Sequence, residues 1–285
     1  MGGGQGPQVP GPSPTQQIIR TVMTHKQAIQ RNFRRRGATY DRHARIQQWM
    51  AAELLRGCQE GVRRAGRILE VGCGTGYLTE LIRQENPRAT LIALDLEVSL
   101  LQQARSRVGR DLGGHYVAAD GEAFFGGSYD LIVSNSVFQW FTRPEETLRE
   151  YYRMLRPGGS LAFAILGPAT FQELAASFQM AAGSLPLAES PELAAVSFSG
   201  AQTWKRFLVE AGFQEVRLQR EVHTETHPTV QDFLHALQAT GATNPAPQPL
   251  SPRLFRHMAA TYQRSFGRNG AIPVTYEVIW AFAQK

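Results

Sequence analysis

From Arg67 onward, short apolar runs and longer amphipathic stretches take turns along the chain. "RILEVGC" reads as a buried strand and "YLTELIRQ" as a helix; "ATLIALDL" and "VSLLQQARSRV" repeat the pair. "HYVAAD" and "YDLIVSNS" are two further strands. "PEETLREYYRML" is a helix opened by proline, and "PGGSLAFAIL" is a turn followed by a strand. Several of these strands are continuous apolar runs rather than alternating ones. That pattern suits strands buried on both faces, and so predicts an α/β fold with a mostly parallel sheet and helices on both faces.

The flanks follow other rhythms. Upstream, "HKQAIQRNFRRRGATYDRHARIQQWMAAELL" has helical periodicity, with Ile29, Phe33, Tyr40, Ile46, Trp49, Met50 and Leu54 on one face and a break near Gly37. Beyond Leu166, "TFQELAASFQMAAGS", "SGAQTWKRFLVEAGF", "TVQDFLHALQATGA" and "PRLFRHMAATYQRSF" read as helices. "EVRLQREVHTETH" and "VTYEVIWAFAQK" read as late strands, expected to be antiparallel. The expected organisation is a disordered segment over 1–20, a helical lid over 21–62, and a main domain over 63–285. Helical insertions are expected at about 168–200 and 228–270, before and between the last strands.

Composition narrows the picture. The chain has 285 residues, 42% of them hydrophobic, enough for one large domain. No stretch approaches the ~18 consecutive apolar residues of a membrane span. The leader "MGGGQGPQVPGPSPTQQ" has no apolar signal core and too little hydrophobicity to fold. Two cysteines, Cys58 and Cys73, build neither a disulfide framework nor a zinc site, which points to the cytoplasm. His223 and His227 share a strand face without a third ligand, so they read as a surface pair and no metal is expected. The net charge of +6, nearly all from arginine, leaves room for an acidic partner, but no nucleic-acid module is recognisable.

The informative motif is "EVGCGTG" after the first strand. Gly72, Gly74 and Gly76 permit a sharp turn and close approach of a ligand. A dinucleotide turn wants its last glycine one residue later, where Tyr77 stands, and Glu70 just before the turn would repel a pyrophosphate. Glu70 suits the ammonium of an amino acid instead. Asp95 ends the second strand, 19 residues after Gly76, where an acid accepts ribose hydroxyls. Asp120, with Gly121 and Glu122, ends the third and suits the adenine amino group and ring edge. The expected ligand is a nucleoside that carries an amino acid, bound at the carboxyl ends of the strands.

Over Arg67 to Leu166, "LEVGCGTG" and "LRPGGSLAF" resemble the class I (Rossmann-like) S-adenosylmethionine-dependent methyltransferases. The resemblance implies S-adenosyl-L-methionine as cofactor. Glu70, Gly72, Cys73, Gly74 and Gly76 would lie around its methionine part, with Cys73 a small filler in the turn. Asp95 would hold ribose with Leu96 beside the adenine, and Asp120, Gly121 and Glu122 would contact the adenine.

The flanks sharpen the likeness. "KQAIQRNFRRRGATYDRHARIQ", "SNSVFQWF", "LGPATFQEL", "FLHALQATGATN" and "PVTYEVIWAFAQK" together resemble the malonyl-acyl-carrier-protein O-methyltransferases of biotin synthesis, across nearly all of the chain after Thr24. That resemblance implies methylation of the free carboxylate of a malonyl thioester on acyl carrier protein. The chain departs from the family where Phe33-Arg34-Arg35 stands for an expected Phe-Gly-Arg, and where "NPAPQPLSP" replaces a more basic linker.

A carboxylate is ionised at neutral pH and needs no general base, in keeping with the lack of a Cys-His or Ser-His-Asp constellation. Candidates around the reacting atoms are Tyr40 and His43, expected to close over the cofactor, and Asn135, Gln139 and Trp140 after the fourth strand. Gln139 would donate to the carboxylate and Trp140 would wall the pocket. Tyr276 could reach in from the last strand, although strand packing is the simpler reading. Arg31, Arg34, Arg35, Arg42 and Arg45 are all candidates to bind the carboxylate, and Arg253, Arg256 and Arg264 form a second possible docking surface for the acidic carrier. Two competing functions remain at this point: a methyltransferase for another small acid or nucleophile, and a non-catalytic partner subunit that keeps the fold.

Overall fold

The computed structural model describes residues 41–109, 114–183, 198–240 and 252–285. Among these residues, seven strands form one sheet: β1 (Arg67–Val71), β2 (Thr90–Asp95), β3 (His115–Ala118), β4 (Tyr129–Asn135), β5 (Leu155–Leu166), β6 (Gln214–His227) and β7 (Ile272–Gln284). Their order across the sheet is β3-β2-β1-β4-β5-β7-β6. The first five are parallel, and β7 runs antiparallel between β5 and β6. The parallel sheet and the late antiparallel strands both follow the hydrophobic pattern.

Neighbouring strand residues point to opposite faces, and each face carries its own core. Ile68, Leu131 and Ala162 pack beneath α1 (Arg45–Arg64), α2 (Tyr77–Glu85), α5 (Gln172–Gly183), α7 (Val230–Ala239) and α8 (Pro252–Phe266). Leu69, Ile132 and Leu161 pack on the other side against α4 (Pro144–Met154) and α6 (Ala201–Ala211). α3 (Val98–Val108) closes a smaller cluster with Cys73, Ala93, Leu101 and Ala104.

Helix boundaries follow local chemistry. Pro144 occupies the first turn of α4, Thr229 caps α7 by accepting from Asp232 N at 3.1 Å, and Gly212 ends α6. α1 is an integral layer helix. Ile46, Met50, Leu54 and Val62 are buried, and Trp280 Nε1 on β7 donates to the Met50 carbonyl at 3.0 Å. Non-helical backbone at Cys58 bends α1. Of the expected lid over 21–62, the part before Asp41 lies outside the described residues, as do the 1–20 leader and "NPAPQPLSP" up to Ser251. Among the described residues no helix is long and apolar enough to cross a membrane.

Candidate active site: two cavities that share a tryptophan

The first cavity is a cleft at the carboxyl ends of β1 to β4. Its floor is the turn after β1, with Gly72, Gly74 and Thr75 in its lining. Gly72 has φ +72, and a Cβ there would stand 2.2 Å from Val137 Cγ2, so only glycine fits beneath the loop after β4. Asp95 sets the shape of the turn. Its Oδ2 accepts from Gly74 N at 2.8 Å and its Oδ1 from Glu97 N at 2.9 Å. Burial raises the Asp95 pKa, opposed by those two backbone donors. Asp120 Oδ1 accepts from Glu122 N at 3.0 Å, and Tyr151 OH holds the Gly121 carbonyl at 2.8 Å.

The far wall comes from the end of β4 and the short 3-10 turn Phe138–Trp140: Asn135, Ser136, Val137, Trp140 and Phe141. Ser136 carries φ 60, a left-handed conformation unusual for a non-glycine residue. Such backbone is stored at functional sites when surrounding bonds enforce it, and here Ser136 N donates to the Ala164 carbonyl at 2.8 Å. Among the described residues, three carboxylates line the cleft and no lysine or arginine does.

The second cavity opens on the other side of Trp140, which belongs to both linings. α1 contributes Ile46, Gln47 and Trp49; Arg42, His43 and Arg45 precede or open it. β6 contributes His223, Glu225 and His227, β7 contributes Tyr276, and α7 contributes Asp232, His235 and Leu237. Phe171 and Phe198 add apolar wall. Trp49 and His223 rings lie 5.1 Å apart, and Phe171 meets Tyr276 edge-on at 5.2 Å. Burial pushes the Tyr276 phenol well above its usual pKa.

Residues 69–163 match the family model described as a methyltransferase domain. Across almost the whole chain, the similarity is to enzymes named malonyl-acyl-carrier-protein O-methyltransferase. That of Paenibacillus sp. (strain JDR-2) is 36% identical, over 90% of this chain and 98% of its own. That of Geobacter sulfurreducens is 34% identical, over 92% of this chain and 100% of its own.

The chain belongs to this family.

Solved structures show the same class I methyltransferase fold at low identity. The YcgJ protein of Bacillus subtilis covers 82% of this chain and 98% of its own, with 14% identity and a TM-score of 0.54. The plantazolicin methyltransferase BpumL, solved with S-adenosylhomocysteine, covers 94% and 98%, with 17% identity and a TM-score of 0.51.

Of the residues singled out in the sequence, Gly72, Gly74, Asp95, Leu96, Asp120, Gly121, Glu122, Asn135 and Trp140 come together around the cleft. Others stand elsewhere. Cys73 points away, into the cluster beneath α3, and burial drives its thiol pKa up. Gly76 is a packing glycine: a Cβ there would come within 2.6 Å of Ala104 Cα, so it lets α2 and α3 approach. Glu70 is buried, 1% exposed, and is not part of the lining. Burial pushes its carboxyl up to about 7, and the Asp95 charge adds to the rise. Glu122 reaches the cleft, but its oxygens accept from Thr142 N, Arg143 N and Thr142 Oγ1, so its charge is spent on the loop before α4.

His43 lines the second cavity, not the cleft. Gln139 lines neither cavity, because the 3-10 turn points Phe138 into the core and Trp140 to the cavities. His223 and His227, expected at the surface, are half-buried in the second cavity. Tyr40, Arg31, Arg34 and Arg35 lie outside the described residues. Thr75, Ser136, Phe141 and Gln47 were not singled out. Thr75 lies inside the glycine motif, Ser136 and Phe141 inside "SNSVFQWF", and Gln47 at the end of "KQAIQRNFRRRGATYDRHARIQ". Among the described residues, no group of His, Cys, Asp and Glu side chains could hold a metal ion.

Proposed function

We propose that this chain is the S-adenosylmethionine-dependent enzyme that methylates the free carboxylate of a malonyl thioester on acyl carrier protein, an early step of biotin synthesis in the cytoplasm. The observation that carries the reading is a contrast across Trp140. On one side stands a glycine-turn cleft whose described lining has three acids and no lysine or arginine. On the other, among the described residues, stands a larger cavity lined by Arg42, Arg45 and four histidines together with Glu225 and Asp232. An acidic cleft suits a cationic nucleoside, and the Arg42–Arg45 end of the cavity suits an anion.

The cleft fits S-adenosylmethionine on its own chemistry. Among the described residues, nothing lies within 4 Å of where a Gly74 Cβ would stand, so that side of the turn backbone is open to a ligand. Asn135 Oδ1 is buried without a partner among the described residues. Asp95 would hold the ribose, Asp120 and Gly121 the adenine, and the turn with Asn135 the methionine end. When bound, the cofactor supplies an electrophilic methyl group on a positively charged sulfur. Tyr40 is proposed to border that end, His43 to serve the second cavity that it lines, and Glu70 to counter the ammonium from beneath.

The remaining work falls to the cavity. A malonyl carboxylate is ionised at neutral pH, so no side chain has to take a proton from it. The walls have to bring one oxygen to about 3 Å from the methyl carbon and keep water out. Trp140, Phe171 and Tyr276 supply apolar surface for that task. Arg42 and Arg45 are exposed and suited to draw in the acidic carrier, with Arg253, Arg256 and Arg264 of α8 as a second exposed basic surface.

Mass spectrometry of malonyl-acyl carrier protein after incubation with the protein and methyl donor tests this directly. The expected product gains one methyl group, which mild ester hydrolysis removes. Transfer to a soluble diacid but none to the malonyl thioester would overturn the substrate assignment. Calorimetry that finds no S-adenosylhomocysteine binding would indicate a non-catalytic subunit instead.

A further inference from the structure

Gln139, expected to donate to the acceptor carboxylate, lines neither cavity. Tyr276 is placed for that role. Val278 on β7 pairs with Leu166, the last residue of β5. Tyr276 therefore stands two residues further on, at the carboxyl end of the parallel strands, where the cleft also opens. Its ring is fixed. Tyr276 is 7% exposed, pairs with His223 across the β6–β7 ladder, and meets Phe171 edge-on. Other buried tyrosines spend their hydroxyls inside the protein: Tyr151 donates to the Gly121 carbonyl at 2.8 Å and Tyr262 to the Pro273 carbonyl at 2.7 Å. The Tyr276 hydroxyl makes no hydrogen bond among the described residues. Its oxygen is not sealed in the core either, so it opens on the cavity that Tyr276 lines. A polar group left unpartnered in a cavity wall keeps its capacity for something that enters.

We propose that the Tyr276 hydroxyl donates a hydrogen bond to the acceptor carboxylate and turns one of its oxygens toward the cofactor cleft. The proposal rests on the reading above that the acceptor is a carboxylate. Burial, with the Glu225 charge adding to it, holds the phenol pKa well above its usual value, so the hydroxyl keeps its proton at neutral pH and is a donor. Other uncharged hydroxyls of the wall are worse placed. Thr224 and Thr226 are exposed, and Thr240 Oγ1 donates to the Leu237 carbonyl at 2.8 Å. A neutral donor also suits the charge balance of the reaction. A carboxylate meets a cationic sulfonium, and the charge on both disappears. A full positive charge clamped on the carboxylate would stabilise the ground state more than the transition state and raise the barrier. A phenol orients the oxygen with a smaller penalty of that kind. Arg42 and Arg45 line the same cavity but are exposed, where screening weakens them, so they serve arrival rather than alignment.

Tyr276→Phe tests this, since it removes the hydroxyl and keeps the ring that packs on Phe171. S-adenosylhomocysteine affinity is measured first and reports that the cleft is folded. Binding to the S-adenosylhomocysteine-loaded protein is then compared for carrier protein bearing malonyl and carrier protein bearing acetyl, which has the thioester but no carboxylate. Turnover of the malonyl form follows. Loss of a hydrogen bond to a charged group predicts that the variant weakens malonyl-carrier binding and kcat/KM by roughly tenfold to a hundredfold. Acetyl-carrier binding and cofactor affinity should stay unchanged. A packing role alone predicts no change, so a kcat/KM within about threefold of wild type would overturn the proposal, being less than the loss of one such bond. So would an equal loss of malonyl and acetyl binding, which marks a change in the wall and not in the carboxylate contact. A parallel loss of cofactor affinity would overturn it as well. If wild type methylates a soluble diacid instead of the malonyl thioester, the substrate reading fails, and the same variant assayed on that diacid still decides the role of Tyr276.

Discussion

The cleft and the cavity on either side of Trp140 are built in opposite ways. The described lining residues of the cleft all fall between Val71 and Phe141, at the ends of four consecutive strands. Its carboxylates are tied to backbone amides, Asp95 to Gly74 and Glu97, Glu122 to Thr142 and Arg143. The cavity takes residues from Arg42 to Tyr276, and its empty volume of about 2160 Å³ compares with about 870 Å³ for the cleft. Some of its polar atoms, Gln47 Oε1 and His227 Nε2 among them, are buried without hydrogen bonds among the described residues. A site for one invariant ligand can spend its carboxylates on its own rigidity, and here keeps Asn135 Oδ1 unpaired among the described residues. A site that must admit the end of a carrier-bound chain keeps some of its polar groups unspent.

If that contrast is right, substitutions in the cleft should cost folding and those in the cavity should not. Gly72→Ala is the largest case. The new methyl group would overlap Val137 Cγ2 at 2.2 Å, and the backbone has φ +72. Left-handed strain and overpacking together predict a loss of about 2–5 kcal/mol in denaturant unfolding, with S-adenosylhomocysteine binding lost. Thr226→Ala, exposed in the cavity wall, should stay within about 0.5 kcal/mol of wild type. Equal costs at the two positions would break the comparison.

The same contrast explains what the sequence revealed. The cleft was legible because its parts recur at strand ends a short distance apart, so the glycine turn, Asp95 and Asp120 could be found by spacing. Within that motif the reasons were mixed: Gly76 answers to Ala104 and Cys73 to Ala93, across helix and strand packing that spacing does not display. The cavity was not legible. Trp49 and His223 touch only because α1 and β6 lie over the same end of β7, and nothing local in either segment announces the other. A histidine pair on an edge strand reads as surface until the helix that covers it is known.

The next largest effect lies under the cleft. Glu70 is buried, with its carboxyl pushed up from 4.5 to about 7. A folded-state pKa above the unfolded one means that the folded protein holds its proton more tightly. That contribution is full below the unfolded pKa and is lost as pH rises through about 7. Glu70→Gln mimics the protonated form at every pH. It should therefore be more stable than wild type at pH ~8, by an amount on the order of 3 kcal/mol for a shift of this size. The advantage should shrink toward zero near pH ~4.5, the ordinary carboxylate range. Thermal unfolding of both proteins across that range checks it, and a difference that does not vary with pH would show that Glu70 is not the titrating group. If Glu70 also counters the ammonium of the cofactor, the variant gains stability while it loses affinity for S-adenosylhomocysteine, the trade expected of a cleft acid.

The smallest effect tests the join between the two regions. Asp41 enters α1 just ahead of the cavity residues Arg42, His43 and Arg45, yet its carboxylate reaches back to the cleft. Oδ1 accepts from Thr75 Oγ1, and Oδ2 pairs with Arg107 Nη2 at 2.5 Å. Arg107 in turn donates to the Thr75 carbonyl at 3.3 Å and lies over the Tyr77 ring. One acid thus fastens the start of the cavity wall to the floor of the cleft. The pair is partly exposed, 39% at Asp41 and 23% at Arg107, so solvent screens it and Asp41→Asn should cost only about 0.5–1 kcal/mol of stability. The asparagine can still accept from Thr75, so cofactor affinity should fall no more than about threefold, the equivalent of less than 1 kcal/mol. The informative readout is the acceptor side. A shift at the first turn displaces the cavity wall formed by Arg42, His43 and Arg45, and KM for the acceptor should rise by a larger factor than the cofactor affinity falls. Equal factors on both sides would mean that Asp41 supports the cleft alone, and that cleft and cavity are neighbours without a mechanical link.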